Sequence, residues 1–427
     1  DLETIFDLET RLTPCLIDMT FRGIRVDLER CERSKQQLLK REKQTYREIN
    51  KEAGFDVEIW AATSLAKAFD KLKVAYPRTA KGAPSFTKAF LSENPHPFAK
   101  MIVEARNLNK IQGTFINNIM KFVGADSRIH GHINQLRSDE GGTVSGRLSM
   151  SNPNLQQIPA RDPELGPMIR SLFLPEEGEL WAAIDYSQQE PRILTHYASV
   201  FGKWKGLPLG GAKEFVDGYT NDPDMDFHTM VADMANISRK QAKTINLGMM
   251  YGMGVRKLAD QLDLEFEDAK ELTQQYHKRV PFVKELMNGV SRSVDQKSDG
   301  SLRSLKGRKC RFDMFEPMGY DVQKAMPLKE AKATYGETAP LKRAYTYKAL
   351  NRLIQASAAD MTKQAMVDLY EAGERPLLQV HDELGCSVTD IAHAKKIRGV
   401  MEAAIKLQVP SKCDIDLGPS WGETKEI

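Results

Sequence analysis

Two apolar runs in this chain each drive into a carboxylate, and that repetition limits the fold more than any other feature. "LWAAI" leads directly to Asp185, and "LLQV" leads through His381 to Asp382. Both runs read as buried strands. An ionised carboxylate at the end of such a strand is costly unless it is paired or holds a metal. The two aspartates are far apart in sequence, so the fold must bring their strands together. Carboxylates on adjacent strands can hold two Mg²⁺ ions about 3.5–4 Å apart, activating an attacking oxygen and stabilising a leaving one. For either aspartate alone, a salt-bridged strand end is the plainer reading.

A helix supplies the second constraint. "SRKQAKTINLGMMYGMG" offers Ser238 as N-cap and Gly252 or Gly254 near its end. Arg239, Lys243, Leu247 and Tyr251 recur every four residues. Each step rotates by about 40°, so the four share one broad face. Guanidinium, ammonium, aliphatic and aromatic groups follow in that order. Arg and Lys suit the phosphates of a nucleoside triphosphate, and Tyr251 suits its flat base. An ordinary amphipathic helix with a charged first half would show the same spacing.

The rest of the chain frames these elements. Residues 27–50 read as a long helix with Asp27 as N-cap and a thin apolar stripe of Leu28, Cys31, Leu38, Leu39, Tyr46 and Ile49. Residues 56–125 read as shorter helices and a loop, with "EARNLNKIQGTFINNIMKF" as one helix. "RIHGHINQ" alternates like a strand, and "GGTVSGRLSMSNPNLQQIP" reads as loop. Residues 300–345 look irregular and basic. "ALNRLIQASAADMTKQAMVDLYEAG" is an apolar helix, "PLLQVHDELGCSVTD" two short strands, and "KCDIDLG" a last strand. The net charge of +3 does not by itself argue for nucleic acid. Five scattered cysteines without a C-x-x-C pair exclude a zinc ribbon and suit a reducing compartment. No apolar run reaches the roughly 18 residues of a membrane span. The acidic start lacks a signal peptide and a first Met, which suggests a fragment or processed product.

These segments, in order, resemble DNA polymerase family A, the DNA polymerase I-like group. "DYSQQEPR", "RKQAKTINLGMMYG" and "VHDEL" resemble its three catalytic motifs. "SGRLSMSNPNLQQIP", "GRKCR" and "LIQASAAD" resemble segments between them, and "FRGIRVDLER" and "PSFTKAFL" resemble thumb sequences. The resemblance implies an α+β right-hand fold, with an antiparallel-sheet palm and mostly helical thumb and fingers. It divides the chain into a palm-edge segment (1–26), thumb (27–127), first palm part (128–225), fingers (226–345) and second palm part (346–427).

It also implies template-directed addition of dNTPs to a primer 3′-OH with two Mg²⁺ ions, or Mn²⁺ in their place. Asp185, Asp382 and the Tyr186 carbonyl would be metal ligands, with Glu383 a supporting carboxylate. Arg239, Lys243 and His228 would face the triphosphate, Lys243 also acting in catalysis. Leu247, Tyr251 and Gln188 would complete the nucleotide site. Glu190 resembles the steric gate that excludes a ribose 2′-OH. Arg147, Asn154, Asn351, Gln355 and His381 would follow the primer–template minor groove, whose shared acceptors test pairing shape without reading sequence. Arg106 and Lys110 would touch DNA phosphates, in a salt-sensitive way. The implied protein is a monomer working on primer–template DNA in a bacterial or phage-infected cytoplasm, in replication or repair.

Three departures stand out. Leu247 replaces the usual Phe or Tyr, which predicts poor dideoxynucleotide acceptance. Gln189 and Pro191 flank Glu190 where Ile and Leu are usual; Pro191 suits the first turn of a helix, and Gln189 puts the stringency of sugar selection in question. Residues 202–224 and 311–345 look longer than usual and point to a phage or viral relative. A start just before the thumb leaves no room for an upstream nuclease, so proofreading is not expected within this chain. Two other readings compete: an RNA-synthesising or reverse-transcribing polymerase, and a silent primer–template binding protein. Glu190 speaks against the first, and retention of Asp185, Asp382, Arg239 and Lys243 against the second.

Overall fold

The computed structural model describes residues 2–138, 141–158, 162–204, 209–296, 299–319 and 324–427. Its central feature is an antiparallel sheet of β1 (Leu180–Tyr186), β2 (Pro376–Val380), β3 (Glu383–Val388), β4 (Cys413–Gly418) and β5 (Lys425–Glu426), in the order β2-β3-β1-β4-β5. β1 is nearly all buried because its neighbours come from the far end of the chain. The apolar strand before Asp382, β2, is thus one strand removed from β1, and Asp382 comes close to Asp185 through the turn into β3, which does pair with β1.

Helix α1 (Glu3–Arg22) packs on the long helix near the second aspartate, and α2 (Leu28–Ala53) begins at Asp27, whose side chain accepts from the Arg30 N–H at 2.8 Å. Gly54, at φ 71°, ends α2 in the left-handed region that glycine adopts without strain. Ser34 and Thr45 fill the buried stripe of α2, while Leu28 is 41% exposed. The helix expected over 104–122 is interrupted: Pro97–Lys110 is α-helical, Ile111–Ile116 is π-helical, and Asn117–Phe122 returns to α.

"RIHGHINQ" forms two strands. Arg128–Ile129 pairs with Ile24–Arg25, and His132–Asn134 pairs with Ser149–Ser151 inside the expected loop. Residues 300–345 also hold regular structure. Ser301–Arg303 pairs with Lys309–Arg311, and Met314–Pro317 pairs with Met326–Pro327 and Leu341–Arg343, around a helix Leu328–Tyr335. Strands of two to four residues are too short to show alternation in sequence. Parts of both long connections, 205–208 and 320–323, lie outside the described residues.

The helices flanking the cleft are α3 (Gln189–Trp204), α4 (Phe227–Ala235), α5 (Arg239–Met250), α6 (Phe266–Arg279) and α7 (Ala349–Glu371). Helix α7 is buried on almost every side and packs on α1 and α3. A buried ionic cluster joins these parts. Lys363 Nζ contacts both Glu9 oxygens at 2.8 and 3.0 Å and the Gln135 carbonyl at 3.0 Å. Arg308 bridges Glu9 at 2.5 Å and Asp360 at 2.9 Å, and the Ser304 hydroxyl donates to Asp360. Burial alone would push Glu9 up, but Lys363 and Arg308 outweigh it and hold its carboxyl below the usual range. Separate apolar clusters lie beneath the sheet, around Trp181 and Trp421, and within residues 49–105. Among the described residues no helix is long and apolar enough to cross a membrane.

Candidate active site

In the sheet, Glu383 on β3 and Asp414 on β4 stand directly opposite Asp185. Directly opposed residues of antiparallel strands share a face, so three carboxylates form a row across the sheet. Asp382 lies in the two-residue turn that joins β2 to β3, where Val380 pairs with Glu383. The Tyr186 N–H donates to the Asp382 carbonyl at 3.3 Å and ties the turn to the end of β1. The Asp185 and Asp382 carboxyl groups lie near enough for each to alter the other's hold on a proton. Burial, and then the like charges of Asp382, Glu383 and Asp414, push Asp185 well above the usual carboxylate range. Burial raises Asp382 as well, while its own N–H, Arg147 and His381 pull the other way. Asp185 keeps one open side, so this crowded pair faces the cleft short of positive charge.

A hard-oxygen donor set of this kind fits Mg²⁺. Among the described residues no three His, Cys, Asp or Glu converge as a ready-made cage. Tyr186 buries its ring and donates its hydroxyl to the Met401 carbonyl at 2.6 Å, so only its main chain can reach the cleft. Glu383 accepts from Trp421 Nε1 at 2.8 Å, and Trp421 stacks on Trp181 with Arg170 over its ring. That clamp holds Glu383 in the row from the side opposite solvent.

Across the cleft runs α5. Ser238 and Gln241 form a reciprocal capping box that fixes its start. Arg239, Lys243 and Tyr251 are exposed and Leu247 is half-buried, while Ala242, Ile245, Asn246 and Met249 face the core. The four-residue stripe therefore looks outward as one surface. Arg239 docks through Nε on Asp226 at 2.5 Å, which leaves its terminal nitrogens for another anion. Among the described residues Lys243 has no ion-pair partner. His228, at the start of α4, is buried to 8% exposure beside Asp226, Lys243 and Arg239, and burial lowers its pKa.

Glu190 joins the two sides. Arg147 Nη2 donates to its Oε1 at 2.6 Å, and the Tyr251 hydroxyl donates to its Oε2 at 3.1 Å. Tyr251 also interacts with Gln355, and Arg147 acts on Asp382. A chain of contacts thus runs from Asp382 through Arg147 and Glu190 to Tyr251. Pro191 lies in the first turn of α3, and Gln189 is buried against Ala358 and Thr362 of α7. Gln189 therefore sets where α3 sits on α7, with its own side chain away from the cleft.

His381 occupies the first position of the turn with φ 59°, a conformation that costs about 1 kcal/mol or more for a non-glycine residue. Gln379 Nε2 grips its carbonyl at 2.6 Å, and Gln156 Nε2 grips Gln379 Oε1 at 3.0 Å. Asn351 and Gln355 are half-buried, one turn apart on α7, and Asn154 caps the short helix Leu155–Gln157. Lys110 is exposed at the end of its helix, away from this cluster.

Two residues are placed otherwise than expected. Gln188, expected at the nucleotide, has its amide occupied by protein: Nε2 donates to the Met225 carbonyl, and Oε1 accepts from the Tyr219 hydroxyl and the Phe227 N–H. It positions the start of α4. Arg106, expected at DNA phosphates, donates to the Ile59 and Phe86 carbonyls and lies on Trp60. Sequence reasoning also passed over Arg192, 2% exposed, which donates to the carbonyls of Ser187, Pro223 and Pro410. No local signal marks an arginine destined for buried carbonyls.

The sequence profile of DNA polymerase family A matches residues 28–423. The chain belongs to DNA polymerase family A. This polymerase is 35% identical to a DNA-directed DNA polymerase of Pseudomonas phage M6 over 99% of its own length and 67% of that protein. It is 31% identical to DNA polymerase I of Geobacillus stearothermophilus over 98% of its own length, but spans only 46% of that protein. Among solved structures it resembles the POL domain of Pol1 from M. smegmatis, which was determined in complex with DNA primer–template and dNTP. That match has a TM-score of 0.76 and 27% identity, over 97% of this chain and 70% of the other. The polymerase is a DNA-directed DNA polymerase with relatives among phage and bacterial enzymes, and family A polymerases work with divalent metal ions.

Proposed function

We propose that this polymerase extends a primer 3′-OH with dNTPs on a DNA template, with Asp185 and Asp382 holding two divalent ions, Mg²⁺ or Mn²⁺ in its place. The observation that carries the proposal is Glu190, bonded from one side by Arg147 near Asp382 and from the other by Tyr251 of α5. It makes the acidic row and the cationic helix face one site. When bound, the ions supply Lewis-acid activation of the 3′-OH and neutralise the leaving pyrophosphate.

The chain's own residues do the rest. Arg239 and Lys243 grip the triphosphate, with the His228 ring beside them. Leu247 and Tyr251 pack against sugar and base. Glu190, fixed at both oxygens, closes the space that a 2′-OH would need. Arg147, Asn154, Asn351, Gln355 and His381 line the minor-groove side, and Lys110 meets DNA phosphates. Support for action in a host-cell cytoplasm comes from five buried, unpaired cysteines and from the phage relatives.

Primer extension on a DNA template with Mg²⁺, offering dNTPs and rNTPs separately beside Asp382→Ala, tests this. Extension with dNTPs only, lost in the variant, is the expected result. Extension with rNTPs would refute Glu190 as gate. Binding without extension would make the protein a silent primer–template binder.

A further inference from the structure

Behind the cationic stripe lies a buried polar pair with no role in the site described so far. Asn246 is 1% exposed on the inner face of α5, and Tyr276 of α6 is fully buried. The Tyr276 hydroxyl lies 2.7 Å from Asn246 Oδ1, and Asn246 Nδ2 lies 3.0 Å from His228 Nδ1. Three side chains from three helices thus form one line that ends at the ring beside Arg239 and Lys243.

The direction of this line follows from hydrogen-bond bookkeeping. Among the described residues, Asn246 is the only partner of the Tyr276 hydroxyl. A buried hydroxyl that merely accepted from the amide would leave its own proton unpaired, at a cost of about 1–3 kcal/mol. Tyr276 therefore donates, and the amide oxygen must face it. The amide NH₂ then faces His228 and can only donate. His228 Nδ1 must receive that proton with its lone pair, so the neutral ring carries its hydrogen on Nε2. Burial disfavours the doubly protonated ring, which fits the same arrangement.

We infer that Asn246 and Tyr276 are positioning residues that set the tautomer of His228, so that Nε2–H points outward as a fixed donor to the incoming triphosphate. The inference rests on the proposed nucleotide site. Its structural half is independent of that reading: the hydrogen sits on Nε2 whether or not a nucleotide binds there.

The test has two parts. The first is ¹⁵N NMR of histidine-labelled protein near neutral pH, with His228 assigned by its loss in His228→Gln. The expected pattern is a protonated Nε2 and a bare Nδ1, with the preference lost in Tyr276→Phe, a change that keeps the ring. A ring protonated on Nδ1 would overturn the inference. The second is dNTP kinetics. Tyr276→Phe should raise KM by about three- to tenfold, the worth of one modest hydrogen bond, with kcat within about twofold. Asn246→Asp, which would accept from Nδ1–H and reverse the tautomer, should raise KM at least as much. The double variant His228→Gln/Tyr276→Phe should be no worse than His228→Gln alone; additive losses would show that Tyr276 acts through folding and overturn the inference. If the tautomer is as stated but His228→Gln leaves KM unchanged, the triphosphate role of His228 fails while the tautomer assignment stands.

Discussion

This polymerase contains two clusters of charge that look alike in composition and differ in completeness. Around Lys363, the carboxylates of Glu9 and Asp360 are matched by Lys363, Arg308, Gln135 and Ser304, with little surface left to solvent. Around Asp185, the carboxylates crowd each other and Asp185 opens to the cleft, with Arg147 acting on Asp382 and Lys412 paired to Asp414 at 3.3 Å, and no cation bonded to Asp185 among the described residues. The first cluster finishes its own electrostatics and so cements α1, α7 and the 301–311 hairpin. The second is left unfinished, and ions and a triphosphate can finish it. Completeness of pairing, more than burial or the number of charges, separates a structural cluster from a chemical one.

The comparison breaks most sharply in activity. Asp382→Ala should cut primer extension at least about a thousandfold, the equivalent of roughly 4 kcal/mol of barrier, while the melting temperature stays level or rises because a repulsive neighbour is gone. Lys363→Ala should do the reverse. It leaves Glu9 with Arg308 as its one cation and removes two charge-assisted hydrogen bonds, and should cost about 1.5–3 kcal/mol in denaturant unfolding, with KM for dNTP unchanged in the protein that remains folded. A loss below about 1 kcal/mol would show that the inner cluster is not what holds these elements together.

A gentler test uses pH. Asp185 binds its proton more tightly in the folded, metal-free protein than when unfolded. The stability it contributes is therefore present at low pH and lost as pH rises through its raised pKa. Mg²⁺ should remove that loss, so the melting-temperature gain from Mg²⁺ should be larger near about pH 8.5 than near about pH 6, and Asp185→Asn should flatten the difference. Equal gains at both values would contradict the crowded-pair account. The smallest expected effect is at Leu247. Leu247→Tyr should improve dideoxynucleotide use relative to dNTP by about tenfold, roughly 1.4 kcal/mol, by restoring an aromatic contact near the sugar; an unchanged ratio would mean that Leu247 does not shape sugar choice.

What the sequence disclosed was whatever is encoded locally. Asp27 and Gly54 bracket α2, Ser238 and Gln241 cap α5, and the apolar runs before Asp185 and Asp382 mark two strands of one sheet, with β3 between them. Each signal sits within a few residues of the structure it specifies. The polar groups that went unread are satisfied by distant partners. Gln188 turns to the start of α4, Arg106 to the Ile59 and Phe86 carbonyls, and Asn246 to a tyrosine thirty residues on. The short strands of 300–345 were hidden for the same reason, since pairing rather than propensity makes them.

The turn that carries Asp382 has a consequence for how such a chain can change over generations. Only His381 and Asp382 separate the paired residues Val380 and Glu383. Strand side chains alternate between faces, so one residue gained or lost there would swing Glu383 away from Asp185 and move Asp382 off the end of β1. A change of length is easier to absorb at exposed turns such as the one at Gly336, which joins the helix Leu328–Tyr335 to the strand Leu341–Arg343 without entering either. Between Val380 and Glu383 the allowed length is two, and only point substitutions remain open to drift.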